Sequence, residues 1–195
     1  MNKRILLIGG NYTPELTGIG KYNGEMIQWF AQHGLDVTVL TTYPYYPQWS
    51  IHPLYKKKSH WFSKEVKNHG SNVETIVRCP HYVPANPTGL KRLLSDITIF
   101  VSIFFALINI FFKKKYDYVL CVAPPFSIGI LGIMYRLIKR SKTIYHIQDL
   151  QVDAARDLKM IKSKFVINTM FKIEKFILRQ SDVISTISPG MINKI

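Results

Sequence analysis

The sequence predicts an α/β protein built on a Rossmann-like, doubly wound parallel sheet. Short apolar runs rich in β-branched residues alternate with amphipathic stretches of helical period, the pattern of strand–helix–strand units. The first apolar run breaks at Gly9-Gly10, and a glycine-containing loop then leads into a helix. The intervals between runs suit right-handed crossovers, and no internal repeat is present. With 195 residues, 47% of them hydrophobic and 19% charged, the chain is expected to form one ordered domain over residues 1–195.

MNKRILLIGG sets basic residues before an apolar run that is too short for a secretory core and lacks a small-residue cleavage site. It reads as the first strand. Residues 19–32 form the first helix, since Ile19, Tyr22, Met26, Ile27 and Phe30 recur at helical spacing and Gly34 supplies a stop. LDVTVLTT is the second strand. Over residues 43–72 the pattern dissolves into a long loop with Pro44, Pro47, Pro53 and Gly70, after which VETIVRC resumes as the third strand.

PHYVPANPTG is a connector punctuated by prolines, and residues 90–112 form a long helix ending in Lys113, Lys114 and Lys115. YVLCVA is the fourth strand, Pro124 and Pro125 break the chain, and residues 126–139 are helical. KTIYHI is the fifth strand, HIQDL opens a loop, residues 164–179 are an amphipathic helix and DVISTI is the sixth strand. Ser188 and Pro189 then supply an N-cap and a proline at the first helical position, so the chain is expected to continue into further protein.

Ligands of such sheets bind beyond the carboxyl ends of the strands. That rule gathers residues 9–20, 41–46, 123–127 and 146–149 along one edge. Among them, Gly18, Ile19, Gly20 and Lys21 open a helix, whose unpaired N–H groups and partial positive charge favour an anion such as a phosphate. Lys21 adds a mobile cation. Gly18 and Gly20 followed by Gly24 leave three intervening residues where a dinucleotide fingerprint has two, which disfavours a nicotinamide cofactor. The alternative is that these glycines serve only a tight strand-to-helix turn.

A formal charge of +14 implies anionic partners: phospholipid, pyrophosphate-bearing lipids or sugars, or nucleic acid. Cys79 and Cys121 sit inside apolar runs and read as buried thiols rather than a disulfide framework, in keeping with a cytoplasmic setting. Residues 97–112 contain no charge, yet 16 residues reach only about 24 Å against a hydrocarbon core of about 30 Å. A helix on a sheet buries one face, so this nearly all-round apolar one has surface to spare for a membrane interface. Ile97, Phe100, Phe104, Phe105, Phe111 and Phe112 are its candidate lipid contacts. Lys113, Lys114 and Lys115 would each add roughly 1 kcal/mol against an anionic leaflet. A core helix or a protein–protein face is the alternative.

TTYPYYPQWSIHPLYKKKSHWF carries seven large rings among prolines and lysines, too many for a solvated loop. Packing onto the domain, stacking on apolar sugar faces, lipid contact and base stacking are the uses open to them. At the end of the fifth strand His146 is either a core histidine or a site residue. Asp149, Asp153 and Asp157 could line one helical face and imitate a metal site. Carboxylates near a helix start are ordinarily favourable solvated charges, and no metal is expected.

NYTPELTGIGKYNGEMIQWF, TTYPYYPQW, RCPHYVP, LKRLL, HIQDLQVDA and STIS, in this order, resemble the N-terminal half of bacterial family 4 glycosyltransferases, above all the colanic acid biosynthesis type. The resemblance covers nearly the whole chain. It implies the N-terminal, acceptor-side domain of a GT-B enzyme, in which two Rossmann-like domains face each other across a cleft and the C-terminal one holds the nucleotide sugar. It further implies that the loop from Gly18 to Lys21 faces the donor diphosphate, that His146 lies beside the reacting sugar, and that no metal or other cofactor is required. Glu15, Tyr45, Tyr46, Trp49 and Asp149 are the candidate acceptor contacts.

The donor-binding Glu-x7-Glu of the family does not occur: glutamates stand at 15, 25, 65, 74 and 174, no two of them eight apart. The expectation is therefore a retaining glycosyltransferase half, inactive alone, that takes a polyprenyl-diphosphate-linked glycan in exopolysaccharide assembly. It would act as a cytoplasmic, monotopic protein at the inner membrane face, with a separate donor domain as a further partner. A non-catalytic lipid- or partner-binding module is one alternative. A nucleic-acid binder is another, though no helix-turn-helix, zinc or RNP pattern supports it.

Overall fold

The computed structural model describes residues 3–195, so Met1 and Asn2 of the basic N-terminal run lie outside the described residues. Seven strands form one sheet: β1 (Arg4–Gly9), β2 (Asp36–Thr42), β3 (Ser63–His69), β4 (Asn72–Cys79), β5 (Tyr118–Ala123), β6 (Lys142–Ile147) and β7 (Val183–Thr186). Their order is β3-β4-β2-β1-β5-β6-β7. Every pair is parallel except β3 with β4. The helices are α1 (Gly18–Gln32), α2 (Gly89–Phe111), α3 (Ile128–Lys139), α4 (Gln151–Asp157), α5 (Lys164–Gln180) and the single turn α6 (Pro189–Ile192). This is the doubly wound, Rossmann-like sheet the alternation predicts.

Central parallel strands are covered on both faces and so read as continuous apolar runs rather than alternating ones. RILLIG and YVLCVA are such runs, buried from their second residue onward. One core, containing Leu6, Ile8, Val119 and Tyr145, lies under α2, α3 and α5; the other, with Leu7, Val37, Val39 and Val122, lies under α1. Close approach is built into the sequence here. A Cβ on Gly129 would overlap Ile177, and one on Gly132 would overlap Cys121 Sγ, so glycine lets α3 lie against β5 and α5. Cys79 and Cys121 are buried free thiols, each raised to about 12 by burial, as the absence of a disulfide pattern led us to expect.

Two elements depart from the sequence expectation. The supposed loop over residues 43–72 contains a 3-10 turn, Pro53–Tyr55, and the whole of β3. SKEVKNH has one apolar residue in seven, so neither alternation nor a buried run marks it. It is an exposed edge strand whose lysines discourage further pairing, closed onto β4 by a turn at Gly70, φ +65°. The loop expected after β6 contains α4, short but complete, with Arg156 bonding Asp153 and Asp157 at 2.7 Å each.

The sheet reverses its winding between β1 and β5, which lie side by side at the centre. Such a switch point opens a crevice at the carboxyl ends of the two strands. Gly10 and Pro125 meet there, a Cβ on Gly10 standing 3.0 Å from Pro125 Cδ.

Candidate acceptor site

A cavity of about 360 Å³ sits over that switch point, at the small end of the range for ligand pockets. Its polar and aromatic lining residues are Asn11, Tyr45, Tyr46, Trp49, Arg92, Asp96, Asp149 and Gln151. Leu93, Leu158, Met160, Ile161 and Met170 are its aliphatic ones, and Gly18 and Ile19 line it as well. Asn11, Gly18, Tyr45, Pro124 and Asp149 thus meet where the sheet-edge rule put them, while residues of α2, α4 and α5 join them from beside that edge.

The glycine loop owes its shape to a carboxylate. Glu15 is only 6% exposed, and its Oε1 accepts from the N–H groups of Tyr45 and Tyr46, each at 3.0 Å. Asn11 Nδ2 donates to the other oxygen at 3.0 Å. A Cβ on Gly20 would lie 2.7 Å from Glu15 Cβ and overlap its carboxylate, one on Gly24 would press on Thr13 at 2.9 Å, and Gly18 holds φ +61°. Each glycine is therefore required by the fold, and Glu15, expected as an acceptor contact, is enclosed with its oxygens occupied. It positions the aromatic loop instead. Burial raises its pKa in spite of these donors.

The network continues. Asn23 Nδ2 donates to Asn11 O at 3.0 Å, and Gln148 Nε2 donates to Asn23 Oδ1 at 3.1 Å, tying the end of β6 to α1 and the aromatic loop. The first turn of α1 has no acidic residue and no side-chain cap, which leaves its N–H groups for an anion. Lys21 turns aside from the cavity, toward Glu25 at 3.8 Å, along a neighbouring groove.

His146 stands at the carboxyl edge of the sheet, opposite Val122 and Ser185 in register, and its Nδ1 pairs with Ser185 Oγ at 2.7 Å. It is half-buried, and burial lowers its pKa, so the ring is neutral at pH 7. It shares the α1 face of β6 with Ile144 and is not among the residues that line the cavity.

The aromatic loop divides its rings. Tyr43 and Tyr45 are buried, Tyr43 donating to Trp61 O at 2.7 Å, whereas Trp61 is exposed. Tyr46 and Trp49 line the cavity. Trp49 holds the left-handed φ of +50°, strain of the kind that persists only where surroundings impose it. Behind the loop Arg78 is 1% exposed, bonded to Glu65 and to the carbonyls of Thr13 and Thr42, with Tyr12 and Tyr55 against its guanidinium.

Sequence reasoning missed Arg92, Asp96 and Gln151. Phe126 N–H donates to Gln151 Oε1 at 2.9 Å, which turns the amide so that Nε2 donates to Asp96 Oδ2. Burial raises Asp96 to about 7. The available signal was the one carboxylate of α2, standing directly before the uncharged stretch of residues 97–112.

Along α2, Ile99, Ile103, Leu107 and Ile110 are buried against the sheet, while Leu90, Leu94, Ile97, Val101, Phe105 and Phe112 face outward. By length and composition this helix could cross a membrane, but one face is already used by the core. Ile97, Phe105 and Phe112 are free for another surface. Phe100, Phe104 and Phe111, expected with them, turn partly inward, Phe111 stacking on Tyr135 at 5.5 Å; their spacing puts them on the flanks of the buried stripe. Lys113, Lys114 and Lys115 are exposed at its end.

Comparison with known proteins agrees with this architecture. The chain is 39% identical over 194 residues, 98% of its length, to the putative colanic acid biosynthesis glycosyl transferase WcaI of Escherichia coli K12, of which it spans 46%. Its fold is similar to that of sucrose-phosphate synthase from Thermosynechococcus elongatus, with a TM-score of 0.63 at 16% identity over 98% of this chain and 44% of the other. Residues 17–195 match the glycosyl transferase 4-like domain model, and the chain belongs to that family.

Proposed function

We propose that this chain is the acceptor-binding half of a retaining glycosyltransferase that moves a sugar from a nucleotide sugar to a polyprenyl-diphosphate-linked glycan in exopolysaccharide assembly. The observation that carries the reading is the cavity at the switch point, whose lining mixes both kinds of group. Its aromatic rings and polar groups suit a sugar, and its aliphatic residues suit the start of a lipid chain. Family membership and the likeness to a colanic acid glycosyl transferase support the same direction.

In the proposed reaction the leaving diphosphate gains charge as the anomeric carbon becomes cation-like. Stabilising groups must then be aimed at the developing anion rather than at the bound sugar. The uncapped first turn of α1, beginning at Gly18, offers such fixed dipoles without a metal or other cofactor. His146, neutral and held by Ser185, is suited to donate or accept a hydrogen bond beside the reacting sugar, not to carry charge. The nucleotide sugar itself is assigned to a donor domain carrying the Glu-x7-Glu pair, which this sequence does not contain. By itself the chain should bind acceptor and transfer nothing.

The outward stripe of α2 with its terminal lysines would seat the protein at the inner face of an anionic membrane, from which the lipid-linked substrate reaches the cavity. The test is equilibrium binding of a geranyl-diphosphate-linked hexose to the pure chain, read by tryptophan fluorescence with Trp49→Phe as control. Saturable binding that the control no longer reports supports the reading. Absence of binding, or measurable transfer from a nucleotide sugar by the pure chain, overturns it.

A further inference from the structure

Asp96 and Arg92 stand four residues apart on one face of α2, the spacing at which opposite charges commonly pair, yet no ion pair joins them among the described residues. Arg92 is exposed and lies over the Trp49 ring, 5.0 Å from its centroid. Asp96 is turned inward and held through Oδ2 by Gln151, whose amide is itself fixed by the Phe126 N–H. No other hydrogen bond among the described residues reaches Asp96, and both charged residues line the cavity. The site thus keeps a carboxylate inside and a guanidinium at its aromatic edge.

Once ionised, as it is above about pH 7, Asp96 is an acceptor-only group with a free oxygen, which selects donors and repels anions, so the titrations below are run at about pH 8. A diphosphate placed against it would meet like charge in a partly desolvated site, so the phosphates belong at Arg92, whose guanidinium is exposed. What remains for Asp96 is a ring with hydroxyls to donate, and Trp49 and Tyr45, at 5.5 Å edge-to-face, provide the apolar surface against which such a ring lies. We propose that Asp96, oriented by Gln151, is a specificity-determining residue that accepts hydrogen bonds from the hydroxyls of a neutral acceptor sugar, with Arg92 facing the diphosphate that links this sugar to its lipid.

The proposal rests on the acceptor reading above, and the experiment separates the two. Geranyl diphosphate and geranyl-diphosphate-linked hexose are titrated into the wild-type chain and into Asp96→Asn, whose fold is checked by circular dichroism. The wild type is expected to prefer the sugar-bearing probe by roughly tenfold, as hydrogen bonds to a charged acceptor allow. Asp96→Asn should lose that preference while binding bare geranyl diphosphate within about twofold of wild type.

If the variant keeps the preference, this assignment falls and the acceptor reading stands. If the variant instead binds geranyl diphosphate about tenfold more tightly, the carboxylate faces phosphate and the assignment also falls. If wild type binds neither probe, both fall. Should the variant not fold, monodeoxyfluoro hexose probes decide with the wild type alone. Loss of one hydroxyl donor should weaken binding about tenfold at one or two ring positions, and uniform binding across the series overturns the assignment.

Discussion

Glu15 shows how a single buried carboxylate organises the loops around a site. It satisfies the N–H groups of Tyr45 and Tyr46 and excludes any side chain at position 20. Glu15→Ala should leave those donors unpaired in a closed space, at a cost of about 1–3 kcal/mol, and Glu15→Gln should recover part of it. For a chain of this size each kcal/mol moves the melting temperature by roughly 2–4 °C, so thermal denaturation reads the difference directly. Gly20→Ala should be comparably harmful, since the new methyl meets Glu15 Cβ itself and not merely a movable tip. A melting temperature for Gly20→Ala equal to wild type would mean that Glu15 has another resting place. The glycine pattern was legible as a tight strand-to-helix turn, but its second cause was not, because nothing local in the sequence reveals that Glu15 folds back over position 20.

At the scale of elements, α2 joins the cavity to an outward apolar stripe. Its first turns bring Arg92, Leu93 and Asp96 to the site, and its far end carries Phe112, 87% exposed, beside three lysines. Ile97, Val101 and Phe105 replaced together by Ser should change stability little, because none is in the core, yet should abolish sedimentation with anionic liposomes. Lys113, Lys114 and Lys115 changed to Gln should weaken the same sedimentation by on the order of a hundredfold at low salt and by less at high salt. Sedimentation unaffected by either set would remove α2 as the membrane-facing element. The helix itself was plain in the sequence, as were β1 and β5, because long apolar runs leave few alternatives. β3 was hidden for the opposite reason: a charged edge strand is held by pairing with β4, a non-local cause that SKEVKNH does not display.

At the scale of the whole molecule, the order of apolar runs predicts the sheet, and the sheet predicts which loops assemble at its carboxyl edge. Asp96 and Gln151 escaped because they enter the site from helices beside that edge, where the strand-end rule has no reach. Buried titrating groups then make stability a test of the assembled site. Burial raises Asp96 and Glu174 from their ordinary values to about 7, so between about pH 4 and 7 the folded state holds protons that the unfolded state has lost. Stability from these acids therefore falls as pH rises through that window and levels above it. His81, its ring nitrogens enclosed without partners and its pKa lowered to about 3, acts oppositely: the unfolded state binds the extra proton, and stability rises from about pH 3 to 6.5. The wild-type profile mixes both signs, but a difference between variants does not. Asp96→Asn keeps an oxygen for Gln151 and removes the titration, with Arg92 and Tyr45 the other ionisable groups that feel it. Its melting temperature minus that of wild type should grow steadily from pH 4 to 7, by about 4 kcal/mol or roughly 8–16 °C, and remain constant above. Glu174, unchanged in both proteins, cancels from the subtraction, and a difference that is flat across pH 4–7 would show Asp96 to be solvated rather than enclosed in the site.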